Sequence, residues 1–420
     1  MTPQIITRRR TQTGADRHSR LAVAIFLALL GSVLAIGAER AGEQDAWRLS
    51  GKMAAEVRGF ADAPAYGSQG DGGQASWILN PEFDKRFRDG RQQFRLVPFL
   101  RLDNRDAQRT HFDIREAYWR ERWDRWEMTA GINRVFWGVT ESHHLVDVIN
   151  QTDLVEDIDG EEKLGQPMVQ LATDRSWGRL EAFALLGFRE RTFPGARGRL
   201  RTPLPVDDDA AIYDTAAGGS RIDAALRWSH YFGDWDIGAY WFHGTSREPR
   251  LIPDPVGERL VPYYEVIHQL GVDVQYTRNA WLWKLEAIAR EGQGATFGAT
   301  VAGFEYTFYQ IGRSAADVGL LVEYLYDGRD VYAPPTIYDD DLFVGSRLAF
   351  NDALDTQLLG GVIVDRNDGS LAALLEAERR VGSRIKLEFE ARWFVNVDPN
   401  NTLHVFERDS HVMLRVSRFF

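Results

Sequence analysis

From Trp47 to the C-terminus, apolar and polar positions alternate with a period of two. Trp47, Leu49, Gly51, Met53, Ala55 and Val57 share one parity, and Arg48, Ser50, Lys52, Ala54, Glu56 and Arg58 the other. The same alternation returns over residues 281–290, 385–393 and 411–416. Successive side chains of a strand point to opposite faces, so each stretch has one oily face and one charged face. Repeating Lys, Glu and Arg on one side against Trp, Leu and Phe on the other suits lipid outside and water inside. The period predicts about eighteen strands, with sixteen left open by boundary uncertainty. Their starts fall near residues 47, 76, 92, 110, 126, 167, 179, 221, 235, 263, 281, 297, 317, 342, 355, 371, 384 and 405.

The connections alternate in length. Tight ones fall at 89–91, 124–125, 174–178, 233–234, 278–280, 351–354 and 381–383, and long or Gly/Pro-rich ones at 61–75, 137–166, 190–220, 245–262 and 327–341. This pattern predicts an all-β fold: a transmembrane up-and-down antiparallel β-barrel with short periplasmic turns and long extracellular loops. Aromatic residues gather at the tight turns: Trp123 and Trp126, Trp177, Tyr231 with Phe232 and Trp235, Tyr276 and Trp281, and Phe308 with Tyr309. Amphipathic rings prefer the headgroup level, so a girdle at one barrel end is expected.

One continuous apolar run stands apart, Leu21 to Ala38, preceded by Arg8, Arg9, Arg10, Arg17 and Arg20. A basic segment, an apolar segment and the small residues Ala35 and Gly37 make residues 1–37 a signal peptide, leaving 38–420 as a single barrel. An uncleaved anchor is the lesser alternative. Composition narrows the function. Cysteine is absent, which excludes disulfides and thiolate chemistry. The net charge is −11, and loss of five Arg and one Asp with the signal takes it to −15. Such a chain lacks the surplus cations a nucleic-acid partner requires. The mean hydropathy of −0.34 excludes a helical membrane bundle.

The chain ends Val416-Ser417-Arg418-Phe419-Phe420, a terminal aromatic after an alternating strand. Upstream lie Arg115-Glu116-Ala117-Tyr118, Gly131-Ile132-Asn133-Arg134, Trp137-Gly138 and Asp147-Val148-Ile149-Asn150-Gln151-Thr152-Asp153-Leu154. Over about forty residues this block resembles one of proteobacterial porin-like proteins, running roughly REAY, G(R/K)Q, WG, DVVNPxDL. Gly-Ile-Asn replaces Gly-Arg-Gln here, Gln-Thr replaces the usual Pro, and Arg418 stands where an apolar residue is common. The resemblance implies a Gram-negative outer-membrane porin-like barrel, recognised by the assembly machinery through Phe420 and surrounded by lipid and lipopolysaccharide. It leaves a homotrimer open and names no ligand.

The inward parity supplies candidate pore-lining residues: Arg48, Lys52, Arg58, Arg95, Arg101, Lys284, Glu286, Arg347, Glu388, Arg392 and Arg415, with further acids at Glu56, Asp273, Glu305, Glu323, Glu376, Glu378 and Glu390. Rings of opposed charge select among solutes, although most such side chains are expected to pair across strands and stiffen the wall. The connection 137–166 is the most distinctive. It carries His143, His144, Asp147, Asp153, Glu156, Asp157 and Asp159, and is expected to fold into the lumen as an acidic constriction. A solvated outer loop, or a Ca²⁺ site at Asp157, Asp159 and Glu161, are the rivals. A second loop, 189–201, is basic, with solvated surface its first expectation. No nucleophile elbow, zinc-protease helix or phosphate-binding loop occurs, so the reading is non-enzymatic and needs no cofactor. It is a channel for passive diffusion of small polar or charged solutes. An outer-membrane hydrolase or a surface scaffold or adhesin on the same barrel is the alternative.

Overall fold

The structure, a computed structural model, describes residues 46–420. The expected signal peptide therefore lies outside the described residues. The chain begins with β1 (Arg48–Phe60), β2 (Gln74–Phe87), β3 (Gln92–Asp103), β4 (His111–Trp123) and β5 (Trp126–Asn133). After the long connection 134–165 come β6 (Gln166–Arg175), β7 (Gly178–Leu186), the short β8 (Ile212–Tyr213), β9 (Ile222–Phe232) and β10 (Trp235–Thr245). Two more short strands, β11 (Arg250–Pro253) and β12 (Leu260–Tyr264), precede β13 (Val266–Arg278), β14 (Trp281–Glu291), β15 (Phe297–Phe308) and β16 (Asp317–Asp327). The last are β17 (Asp340–Ala349), β18 (Gln357–Asp365), β19 (Leu371–Val381), β20 (Ile385–Val395) and β21 (His411–Phe419).

Eighteen of these form one antiparallel sheet in which each strand pairs with its neighbours in sequence, and β1 pairs with both β2 and β21. The sheet is closed. Closure leaves no unpaired edge, the condition for strands to cross a bilayer. Reciprocal backbone bonds between Gly51 and Phe420, 3.2 and 3.1 Å, finish the seam. The remaining strands, β8, β11 and β12, make a small separate sheet at the long-connection end. Eighteen is thus the count, and all eighteen expected segments are strands. The largest shift is in the last. Alternation placed it near 405, but it starts at His411 because 402–406 form a 3-10 turn in which the Asn401 side chain accepts the Leu403 N–H at 2.8 Å.

The outer face is apolar. Trp77 is 69% exposed, Leu270 58% and Val57 51%, whereas Glu56 on the opposite parity is 2% exposed. The girdle rings are exposed at the short-turn end, several packed in pairs such as Trp235 with Tyr276, centroids 4.4 Å apart. Asp124, Asn279 and Asn351 have positive φ in the short turns, a conformation their side chains tolerate. The inner face departs from simple alternation. Charged side chains face inward from β1–β4, β20 and β21, and also from β9, β13, β14 and β16. From β6 to β17 the inner wall also carries Phe183, Leu185, Phe242, Ile267, Ile288 and Leu321, all buried in one apolar cluster. Inward apolar side chains need a cover, and the chain itself provides one.

Candidate functional site

The cover is the connection 134–165. Trp137, Leu145, Val146, Val148 and Ile149 belong to the same buried cluster as the apolar wall. Trp137 packs against Phe183 and Tyr240 at 5.6 and 4.9 Å between centroids, with the Arg227 guanidinium 4.9 Å over its ring. Burying each of these side chains contributes about 1.5–3 kcal/mol.

Beside this apolar contact, wall carboxylates hold the loop backbone. Glu286 of β14 accepts N–H bonds from Val139, Thr140 and Val146 at 2.7, 3.0 and 3.1 Å, and one from the Thr140 hydroxyl at 2.7 Å. Glu323 of β16 accepts from the N–H groups of Glu141 and Ser142, each at 2.8 Å. Glu141 in turn receives Arg347 at 2.7 Å and Lys284 at 3.6 Å. A loop with few regular partners would leave buried N–H groups orphaned, and these wall acids satisfy them.

The second half of the loop meets the cationic wall. Asp153 pairs with Arg115 of β4 at 2.5 Å, Glu156 with Arg101 of β3 at 2.6 Å, Asp157 with Arg58 of β1 at 2.6 Å, and Asp159 with Arg392 of β20 at 2.7 Å. Burial would raise the Glu156 carboxyl, but Arg101 and Arg109 outweigh it and hold it down to about 2. Asp157 is likewise held low against burial by Arg392 and Arg58. Behind them Glu56 accepts from Arg101, Arg109 and Arg415 at 3.0, 2.7 and 2.7 Å. Charges that cost much to bury singly are arranged so that each meets an opposite one.

At the base, the Asn150 side chain accepts the Val135 N–H at 2.8 Å and donates to the Asn133 and Leu164 carbonyls at 2.9 and 2.8 Å. Gly131, at φ 131°, lets β5 lie against the Ala117 carbonyl, where a Cβ would collide. The sequence block 115–118, 131–134, 137–138 and 147–154 is thereby brought into one place, the root of the loop. A bulge explains why alternation falters there: Val97 faces Glu116 and Pro98 faces Ile114, leaving Arg115 as the extra residue of β4.

Of the expected pore-lining residues, Arg58, Arg101, Arg392 and Arg415 converge on the charged cluster, while Lys284, Glu286 and Arg347 hold the loop. Arg95 binds Glu82 and Glu116 at 2.9 and 2.6 Å, apart from that cluster, and Glu388 accepts the Ser417 hydroxyl at 3.0 Å and lies 3.9 Å from Arg415 at the cluster's edge. Arg48 is exposed and Lys52 half-buried near the start of β1. His143 stacks on Tyr338 at 4.4 Å between centroids, and burial lowers its pKa to about 4. His144 lies 3.2 Å from Glu161 and 3.6 Å from Glu286. Burial opposes its charge, but those two carboxylates prevail and raise it to about 10. Asp147 meets Lys163 at 3.2 Å, with burial raising its pKa. The loop carboxylates named here therefore each meet a cation. Asp157 meets both Arg58 and Arg392, Asp159 meets Arg392, and Glu161 meets His144.

Sequence reasoning missed Arg109 and Arg115 as partners of the loop. Arg115 has no regular parity because of the bulge, and Arg109 sits in the turn before β4. Among the described residues, the metal-ligand side chains that converge are His111, Asp153 and Glu156, but Arg101 and Arg115 already occupy the two carboxylates. In the loop 189–201, Arg189 pairs with Asp113 at 2.8 Å and Arg199 with Asp409 at 2.5 Å, while Arg191 donates to Gln151 at 3.3 Å and Arg201 to Ser68 at 2.8 Å, so four of its five arginines hold other segments.

Comparison with known proteins bears on the fold. A BenF-like porin from Pseudomonas fluorescens Pf-5 aligns over 89% of this chain and 98% of its own, with 10% identity and a TM-score of 0.53. Wzi of Escherichia coli, an outer-membrane protein involved in group 1 capsule assembly and described as a carbohydrate-binding β-barrel, aligns over 87% and 83%, with 9% identity and a TM-score of 0.51. The chain has the fold of these barrels. No family model matches it, and no curated protein does.

His144 gives a pH prediction. Its folded pKa of about 10 exceeds the ordinary value near 6.5, so its contribution is complete below about 6.5 and is lost as pH rises through about 10. Raising the pH past 10 is expected to loosen the loop and lower the thermal midpoint of the folded protein. His144→Ala should already show the lower midpoint at pH 7. A variant whose midpoint and pH profile match the parent protein would refute the assignment.

Proposed function

We propose that the protein is an outer-membrane porin-like channel through which small polar or charged solutes diffuse passively. Residues 1–37 serve as its export signal, and the connection 134–165 folds into the lumen as its constriction. The observation that carries this reading is a cross-tied loop inside a closed barrel. Its apolar residues lie on β6–β17 and its carboxylates on the arginines of β1, β3, β4 and β20, so one segment bridges two opposed parts of the wall. An apolar exterior with a charged interior supports a membrane location. The long-connection end is read as extracellular, and lipid and lipopolysaccharide as the surroundings.

Cavities of about 330 and 400 Å³ lie against the loop and share His144, Ile158, Asp159, Glu161, Ile337 and Tyr338 in their walls. These are the spaces through which a solute would pass. Selectivity would come from charges left over after the loop and wall have paired. The test is reconstitution of the folded protein into liposomes and planar bilayers. Solute leakage and discrete conductance steps are expected, with a reversal potential in a salt gradient giving the sign of selectivity. Tight vesicles and a silent bilayer would end this reading.

A further inference from the structure

The structure assigns a binding chamber for an amphiphilic organic cation to the cavity of about 400 Å³ bounded by β17, β18, β19 and the loop. This deepens the channel reading by naming a solute class, and rests on it only for the transport part.

Nearly every acid in the lumen described above meets a cation. Asp341, Asp365 and Glu376, which line this cavity, do not. Asp341 is 2% exposed, and its Oδ2 is buried without a hydrogen-bond partner. It stands opposite Asp365 in the β17–β18 ladder. Asp365 accepts from the Asn367 N–H and the Asn401 amide, both at 2.7 Å, and neither group is charged. Glu376 stands opposite Glu390, which itself engages Arg392 at 2.6 Å. The cations bordering the cavity are committed elsewhere: Arg392 to Asp157, Asp159 and Glu390, and His144 to Glu161 and Glu286.

Two carboxylates face to face, one with an unsatisfied oxygen, cost stability unless something positive comes between them. The remaining lining indicates what that is. Tyr338, Phe343 and Phe394 present aromatic surface, beside Leu359 and Ile363. Aromatic faces attract a cation and also cover an apolar body. The volume suits a small organic molecule. The three acids are not among the described groups whose oxygens converge tightly enough for a bare metal ion. The ligand is therefore a primary ammonium or guanidinium on an apolar body. Its charged head lies between Asp341 and Asp365, and its body lies against the rings.

The test titrates the full-length protein, folded in detergent, with phenethylammonium in a calorimeter. Neutral 2-phenylethanol and anionic phenylpropionate serve as comparisons. The amine is expected to bind and the other two to bind at least about tenfold more weakly, since only a charged head gains the carboxylate bonds. Asp341→Asn with Asp365→Asn should weaken the amine about tenfold or more while melting no lower than the parent, because like-charge repulsion is removed. Glu258→Gln, on an exposed outer loop, should change nothing. If the double variant does not fold, Asp341→Asn alone is judged by the same loss. Equal affinity for all three probes, or undiminished amine binding by the variant, overturns the assignment. Amine binding without conductance would sink the channel reading alone, and conductance without amine binding would sink this one alone.

Discussion

Deleting residues 152–164 is expected to raise single-channel conductance by a factor of about two or more and to shift the reversal potential towards anions. The excised segment holds six carboxylates and one lysine, a net of five negative charges. In the intact protein four of those carboxylates meet Arg115, Arg101, Arg58 and Arg392. Without them, Arg58, Arg101 and Arg115 would stand in a wider lumen with fewer opposing charges, and a cationic wall concentrates anions. The apolar half of the loop, from Trp137 to Ile149, remains to cover β6–β17, so the barrel should still fold. Unaltered conductance in planar bilayers would exclude a constriction role for the loop.

Glu56→Gln is expected to be the most destabilising single substitution of an interior charge, by about 3–5 kcal/mol. Glu56 is 2% exposed and receives Arg101, Arg109 and Arg415 within 3.0 Å. Removing its charge leaves three guanidinium groups together, with Glu156 as the principal remaining acid. With Arg58 at 3.6 Å, Glu56 meets a fourth guanidinium, and no other charged side chain among the described residues meets four opposite charges. Urea unfolding in detergent micelles would measure the loss, with the exposed Glu258→Gln as a reference near zero. A loss below about 1 kcal/mol, the range of surface ion pairs, would show that the arginine cluster is not organised around this carboxylate.

The barrel was legible because its rule is local. Lipid on one face and water on the other impose period two on each strand. A tight turn carries Asn, Asp or Gly where positive φ is needed, so strand after strand could be read without knowing its partner. Glu56, Arg58 and Arg101 were likewise placed inside by parity alone. Parity failed where the surroundings stopped being uniform. Ile288, Phe242 and Leu321 point inward although apolar, because Val146 and Ile149 from a distant segment cover them. Arg115 escaped the pattern through one inserted residue in β4.

What the sequence by itself determined is the strand set and the side most wall residues face, since these follow from nearest-neighbour geometry and solvent. Only the tertiary structure decided which charges neutralise each other. Asp157 and Arg58 are 99 residues apart, and Asp159 and Arg392 are 233 apart. Their pairing depends on barrel closure and on the loop's path, neither of which leaves a periodic trace in the chain. For the same reason the acidity of the loop was visible, while its neutralisation, and the three carboxylates left without cations at β17–β19, were not.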